Sequence, residues 1–568
     1  MPQRSGAVNA LRASFWAHSL APHTNNGFSG SLMRLFAGIA AAALLSAPLA
    51  AQTIDSTAVT RILDEGFNHS EVMQTAQHLS DVIGPRLTNS PGMRAAEAWT
   101  LQRFRDYGLQ NVHKEGFDFG RGWWIERSSA RMVSPRAVAL TAIPIAWTPA
   151  TPGRVSAPVI VAPIASPADF ARYRGKLNGR IVMISRPDDG SEPGDAPFRR
   201  WSADDLKRFD SYEQPSYDPG ATDRRIKRLD FSAKLDAFLK AEGAVAYATQ
   251  SARDGKLVHG TGYLFGVGET QQVPGVELAA EDYRRLARLA RTGPAPVVEL
   301  ENVVHFEDGD TRAYNILADI PGSDRSGAYV MAGAHLDSWV AGDGAADNGA
   351  GVAMVMEAAR ILQKMGVRPR RTIRFALWAG EEQGLLGSMA YVEQHVATRQ
   401  RKPGQPTTGL AGFYGWSNRW PITPLADHGK LSAYFNLDNG SGRIRGINAE
   451  RNPGVVPIFR NWLAPFASMG ADTVAIRSVG GTDHVFFSAV GIPAFQFIQD
   501  PLDYGSRIHH TSADTFDHLK AADLRQGAAI LAAFLLEAAN AEKPLPRLPL
   551  PTEPSATNPF GADAGDQD

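Results

Sequence analysis

The sequence predicts an α/β protein with a mainly parallel sheet covered by helices on both faces, interrupted by a smaller α/β domain. Three observations predict it. Between about 310 and 540, short apolar runs alternate with longer segments of helical periodicity. Each short run is nearly all apolar, as strands buried on both faces are, and does not alternate polar with apolar. The texture changes between roughly 150 and 300, where a second set of strand-like and helical segments lies between Pro- and Gly-containing joints.

In chain order, Met33-Arg34 precedes the apolar run LFAGIAAAALL and the small residues of SAPLAAQ, which reads as an export signal cleaved near Ala51-Gln52. A membrane anchor is the competing reading, but the run is alanine-rich, short for a bilayer and broken by Ser46 and Pro48. No stable membrane insertion is expected after cleavage. The chain has 568 residues and no cysteine, so disulfides, thiolate nucleophiles and Cys-ligated metals are excluded. Export without cysteine fits a periplasmic or extracellular, bacterial-envelope location. A formal net charge of −1 gives no basis for nucleic-acid binding.

Residues 56 to about 125 read as a helical opening, VMQTAQHLSDVI and GMRAAEAWTLQRFRDYGL divided by the breaker GPRLTNSPG. Within 150–300, APVIVAPI and GRIVMISRP are strand-like, LDAFLKAEGAVAYATQ is helix then strand, and VPGVELAAEDYRRLARLA is strand, turn and helix. A charged stretch near 187–230 reads as a long loop. The alternation then becomes regular: strands AYVMAGAHLD, RTIRFALWA, LSAYFNLD and PAFQFI, separated by helices NGAGVAMVMEAARILQKM, LLGSMAYVEQHVA and VPIFRNWLAPFASM, with LRQGAAILAAFLLEAAN last. The expected division is a leader over 1–51, a first part of the main domain over 52–150, an inserted domain over 151–305, the rest of the main domain over 306–542, and a disordered proline-rich tail over 543–568.

The residues that carry chemistry gather at one place in this scheme. His335 and Asp337 follow one strand, Asp347 stands before the next helix, Glu381 and Glu382 follow a second strand, Asp438 ends a third, and His509 and His510 follow a fourth. Each lies at the carboxyl end of a strand, where open α/β sheets form ligand sites. Taken singly each has a plain structural reading: Asp347 as a helix N-cap, the glutamates as solvated acids at a helix start, Asp438 as the opening of a turn. Together they supply two imidazoles and three carboxylates, the donors two metal ions need if one carboxylate bridges them. Glu381 is then left over as a general base beside Glu382. Asp337 is placed to accept the second ring N–H of His335.

GAHLDSW, GDGAADNGAG, LWAGEEQGLLGS, FNLDNGSG and RIHHTSADTF occur in the order and spacing of the di-zinc exopeptidases that include secreted aminopeptidases. The sequence resembles in particular the plasma glutamate carboxypeptidase branch of that family. Residues 150–300 resemble the protease-associated domain that many members carry. The resemblance implies two Zn2+ ions, other divalent metals being admissible, with Asp347 bridging, His335 and Asp438 completing one set, and Glu382 and His510 the other. His510 is preferred to His509 because its spacing to Asp514 matches the family. Glu381 would be the base and then the acid. The implied partner is a peptide cut at its N-terminus, or a short peptide, and a homodimer is compatible with it.

Residues 399–430 form a longer aromatic segment than compact members carry, expected to rim the site. Trp339, Tyr414, Trp416 and Tyr504 are candidate pocket residues. His509, Asp483 and His484 are candidate substrate contacts, the last two from the loop VGGTDHVFF. The competing functions are a glutaminyl-cyclase-like zinc acyltransferase, a non-catalytic receptor-like binding domain, and a non-peptide amidohydrolase.

Overall fold

The computed structural model describes residues 55–190, 196–211, 221–400, 412 and 421–550. The expected leader, Tyr414, Trp416 and the chain from 551 lie outside them. Two eight-stranded sheets organise the described residues. The first contains β1 (Gln110–Asp118), β2 (Arg312–Ile320), β3 (Tyr329–His335), β4 (Thr372–Trp378), β5 (Leu431–Asn436), β6 (Ile444–Asn448), β7 (Thr473–Ala475) and β8 (Ala494–Gln499). Their order is β1-β2-β4-β3-β5-β8-β6-β7. The centre, β4-β3-β5-β8, is parallel throughout. The flanks include antiparallel pairs, β1 with β2, β2 with β4, and β8 with β6.

Helices cover both faces. Alternate residues of a strand point to opposite sides, so Phe375 and Trp378 of β4 serve different layers. Phe375 meets Phe104 of the helix Pro91–Asp106 at 6.4 Å between ring centroids. Its neighbour Phe435 of β5 meets Phe534 of the helix Ala521–Asn540 edge-on at 5.8 Å. On the other face Trp378 packs with Tyr391 and Phe487 at 5.5 and 5.9 Å. The helix Ala350–Lys364 is buried on every side from Ala350 to Leu362, because it lies between the sheet and other helices. Each fully enclosed aromatic or aliphatic side chain contributes about 1.5–3 kcal/mol by leaving water.

Several sequence expectations are corrected. The breaker SPG is in fact a helix start: Ser90 Oγ accepts from Met93 N at 3.2 Å, and Pro91 occupies the first turn, where its missing N–H costs nothing. The helical opening ends by Asp106, and 110–118 is an edge strand whose polar, half-exposed sequence hides it. The second sheet begins at Gly122, ahead of the change of texture near 150: strand Gly122–Ser134 runs antiparallel to Val297–Glu307, with Gly122 opposite Glu307, so the two ends of this segment form one ribbon. Strands 155–161, 181–183, 246–250 and 275–278 continue that sheet in parallel.

The stretch read as a loop over 187–230 holds the helix Ala203–Phe209, capped by reciprocal bonds between Ser202 and Asp205, and the start of the helix Ala221–Ala241. Residues 199–201 dock on the first sheet: Trp201 N and Nε1 donate to Asp500 Oδ1 and Gln499 O at 2.9 and 2.7 Å. The tail is not free from 543. Leu545 is buried, Asn452 Nδ2 donates to Pro546 O at 2.7 Å, and Arg547 donates to Leu431 O at 2.6 Å. Asn452 thus serves the proline backbone there, which cannot pair as a strand, and the tail's own Arg547 serves the Leu431 carbonyl. No helix among the described residues is long and apolar enough to cross a membrane.

Candidate active site

The four parallel central strands end on one edge, and the candidate residues lie there. His335 is the last residue of β3, Glu381 and Glu382 follow β4, Asp438 follows β5, and His509 and His510 follow β8. His335 Nε2 is 3.4 Å from Asp347 Oδ1 and 3.4 Å from Asp438 Oδ1. On the other side of the same carboxylate, His510 Nε2 is 3.4 Å from Asp347 Oδ2 and 2.9 Å from Glu382 Oε2. Asp347 therefore stands between two groups, one oxygen toward each. His509 lies against His510 at 3.7 Å between centroids, the rings tilted by 35°, and its Nε2 is 3.9 Å from Asp347 Oδ2.

Two roles differ from expectation. Asp347 does not cap the following helix. Its backbone is non-helical, the helix begins at Ala350, and Asn348 Oδ1 accepts from Gly351 N at 3.0 Å in its stead. That leaves the Asp347 carboxylate free to face the imidazoles. Asp337 does not take the ring N–H of His335 on its carboxylate, which is 3.8 Å away. The backbone carbonyl of Asp337 accepts from Nδ1 at 2.9 Å. The carboxylate instead accepts from the backbone N–H groups of Glu381 and Glu382, both at 3.2 Å, and from Thr88 Oγ1 at 3.1 Å. One residue thus fixes the His335 tautomer with its carbonyl and aims the two glutamates with its side chain.

Asp483 and His484 are fully enclosed. His484 Nε2 lies 3.4 Å from Glu450 Oε1. Burial raises the Asp483 carboxyl pKa to about 8. Tyr504 and His509 remain at the surface of the site, ring against ring at 4.8 Å.

Sequence reading missed two supports. Asp514, used only as a spacing mark, holds the metal loop: its oxygens accept from Ala346 N at 2.6 Å and Asp347 N at 3.0 Å. Arg86, inside the breaker segment, is fully buried and donates to the carbonyls of Leu336, Leu79, Gly84, Asp343 and Gly344. Burial lowers its pKa to about 10, so it remains a cation at neutral pH. Gly344 has φ +60, and a Cβ there would fall 2.7 Å from Arg86 Nη2, so the glycine admits the guanidinium. Arg86→Met is expected to orphan these carbonyls and cost about 3–5 kcal/mol. Urea unfolding checks it; an unchanged midpoint would contradict the role.

The donor set fits a metal. Asp347 Oδ2 and Glu382 Oε1 are buried with no hydrogen-bond partner among the described residues. His335 Nδ1 is spent on a carbonyl, so Nε2 is the ring atom that faces the carboxylates. A tetrahedral ion with bonds of about 2.0–2.1 Å separates its ligand atoms by about 3.3–3.4 Å, the spacing of His335 from Asp347 and from Asp438. Burial and Asp347 raise the Glu382 pKa well above the usual carboxylate range. So many enclosed carboxylates call for cations.

Residues 315–535 match the model of peptidase family M28. The chain is 27% identical over 472 residues to carboxypeptidase Q of Mus musculus, covering 83% of this chain and 86% of that one. Its fold is similar to that of the peptidase M28 precursor of Shewanella amazonensis, with a TM-score of 0.62 and 24% identity over 88% of this chain and 99% of that chain. It is similar also to a zinc aminopeptidase of Bacillus subtilis, with a TM-score of 0.52 and 19% identity over 86% and 98% of the two chains. Fold, donor set and similarity together define a zinc metallopeptidase. Residues 315–535 are the part that matches peptidase family M28, and the chain as a whole is similar to carboxypeptidase Q.

Proposed function

We propose that this peptidase is an exported, co-catalytic di-zinc exopeptidase that removes N-terminal residues from peptides or splits dipeptides. The observation that carries the two-ion reading is Asp347, flanked by His335 and Asp438 on one side and by Glu382 and His510 on the other. These five residues would hold the ions. Zinc in such a site supplies Lewis acidity, which polarises the scissile carbonyl and acidifies the attacking water.

The chain's own groups do the rest. Glu381 is enclosed beside the set without joining it. Burial, opposed by His335 and reinforced by Asp438, Asp483 and Glu382, raises its pKa well above the usual carboxylate range. A base so raised takes the proton of the attacking water and then delivers it to the leaving amine. Asp337 positions it through the Glu381 N–H. Tyr504 keeps its phenol proton, because burial, Asp347, Asp438 and Glu382 all raise its pKa. Its O–H serves as donor to the oxyanion that develops on the scissile carbonyl. The similarity to carboxypeptidase Q supports the exopeptidase reading, and the residues around Met33 to Gln52 support export.

Mass-spectrometric product analysis tests the reading, using zinc-loaded protein with free peptides, dipeptides and their N-acetylated twins. Stepwise loss from free N-termini, or cleavage confined to dipeptides, is the expected result. Release of ammonia from N-terminal glutamine, or no cleavage with two ions bound, would overturn it.

A further inference from the structure

We propose that residues 122–307, which build the second sheet, position His510 by gripping its loop on both sides, with Arg200 and Arg253 as the positioning residues. The proposal rests on the two-ion reading above and adds a dependence for one of the ions. The set of Asp347, Glu382 and His510 is completed by a part of the chain that supplies none of its ligands.

The first observation is where the candidate ligands are anchored. Four of the five are fixed by residues outside 122–307. His335 Nδ1 donates to Asp337 O, Asp514 accepts from Asp347 N, Asp337 accepts from Glu382 N, and Gln496 Nε2 donates to Asp438 O at 2.6 Å. His510 stands apart. β8 ends at Gln499, so a long loop separates this histidine from the sheet.

The second observation is the grip ahead of His510. Asp500 is fully buried and accepts from Arg200 Nη1 and Trp201 N, both at 2.9 Å. Arg443 Nε and Arg445 Nη1 share the same carboxylate at 3.2 and 2.9 Å. Arg200 Nη2 also reaches Asp523 Oδ2 at 2.8 Å, so one guanidinium ties the start of the loop to the helix Ala521–Asn540. Arg199 N donates to Leu502 O at 2.9 Å. Charge-assisted bonds of this kind are stronger than neutral ones.

The third observation is the grip behind it. Arg253 Nη1 donates to His509 O at 3.2 Å. Val258 and Ser512 bond reciprocally, Ser512 N to Val258 O at 2.9 Å and Val258 N to Ser512 Oγ at 3.3 Å. The second-sheet segment therefore meets the loop at 500–502 and again at 509–512.

The fourth observation is the backbone between these points. Leu502 has φ +47 and His510 has φ +61. Side chains other than glycine rarely adopt such angles, which persist where the surroundings impose them. Both strained residues lie at the grips. Released there, the loop would relax and carry His510 Nε2 away from Asp347 Oδ2 and Glu382 Oε2, now 3.4 and 2.9 Å from it.

The test is zinc titration of the full chain against a chromogenic chelator, in parent and variants. His510→Ala identifies which of the two binding steps belongs to its set. Arg200→Met and Arg253→Met each keep the length of the stem and remove the donors. Each is expected to weaken that step about tenfold and to leave the other step unchanged. Arg253→Lys returns a donor to His509 O and is expected to recover most of the loss. A general loss of structure would neither spare one step nor be reversed by lysine. Both steps unchanged, or both weakened alike, would overturn the proposal. If Arg200→Met does not fold, Arg253→Met and its lysine counterpart decide alone. A parent that takes up one ion only would sink the two-ion reading and this proposal with it. A parent with two steps, both indifferent to the substitutions, would sink this proposal alone. Two ions, one of them dependent on Arg253, without cleavage of any peptide would sink the exopeptidase reading and leave the positioning role standing.

Discussion

Replacing Glu381 by glutamine is expected to lower kcat by about 10²–10⁴-fold, with zinc content unchanged. The substitution keeps the size of the side chain and the backbone N–H that Asp337 accepts at 3.2 Å. It removes only the ability to take a proton. Glu381 is not among the atoms that crowd Asp347, so its loss leaves the five donors in place. Because the base acts in the transition state, KM should move little and kcat/KM should fall in parallel with kcat. Steady-state kinetics with metal analysis on the same preparation checks both halves. Near-normal turnover with zinc bound would remove Glu381 from the reaction.

Asp347→Ala should do more, because one side chain faces both groups. Zinc is expected to fall below one ion per chain, and kcat/KM to drop by at least about 10³-fold, since the several kcal/mol of Lewis-acid stabilisation are lost with the metal. Stability should fall as well. An ion present at a thousand times its Kd stabilises the folded state by about 4 kcal/mol, and that contribution disappears when it cannot bind. Thermal unfolding with and without added zinc should show a rise in Tm for the parent and none for the variant. Retention of two ions by the variant would show that Asp347 does not bridge.

The positions of these residues on the chain were legible before any coordinates. Strand ends are marked by apolar runs that stop, and the His, Asp and Glu residues that follow four of them share one sheet edge because parallel strands all point the same way. The order of the strands and which oxygen faces which imidazole were not legible. Asp347 looked like a helix cap because a cap and a ligand both require an acid before a helix; only the placement of Asn348 separates the two roles. His335 looked paired with the Asp337 carboxylate because their spacing allows it, but the carbonyl lies nearer.

The sequence by itself determined the α/β class, the four parallel central strands, and the place of the His, Asp and Glu residues at their ends, since periodicity and residue chemistry are local properties of the chain. Tertiary structure alone decided what holds that set and what it faces. Arg86 gives no local signal, because three of the five carbonyls it clamps, those of Leu336, Asp343 and Gly344, lie 250 to 258 residues away. The ribbon of Gly122–Ser134 with Val297–Glu307 pairs residues far apart, and strand pairing leaves no mark in either strand alone. Asp483 and His484 stand out in the sequence as polar residues after a glycine loop; that they are fully enclosed depends on every neighbouring element.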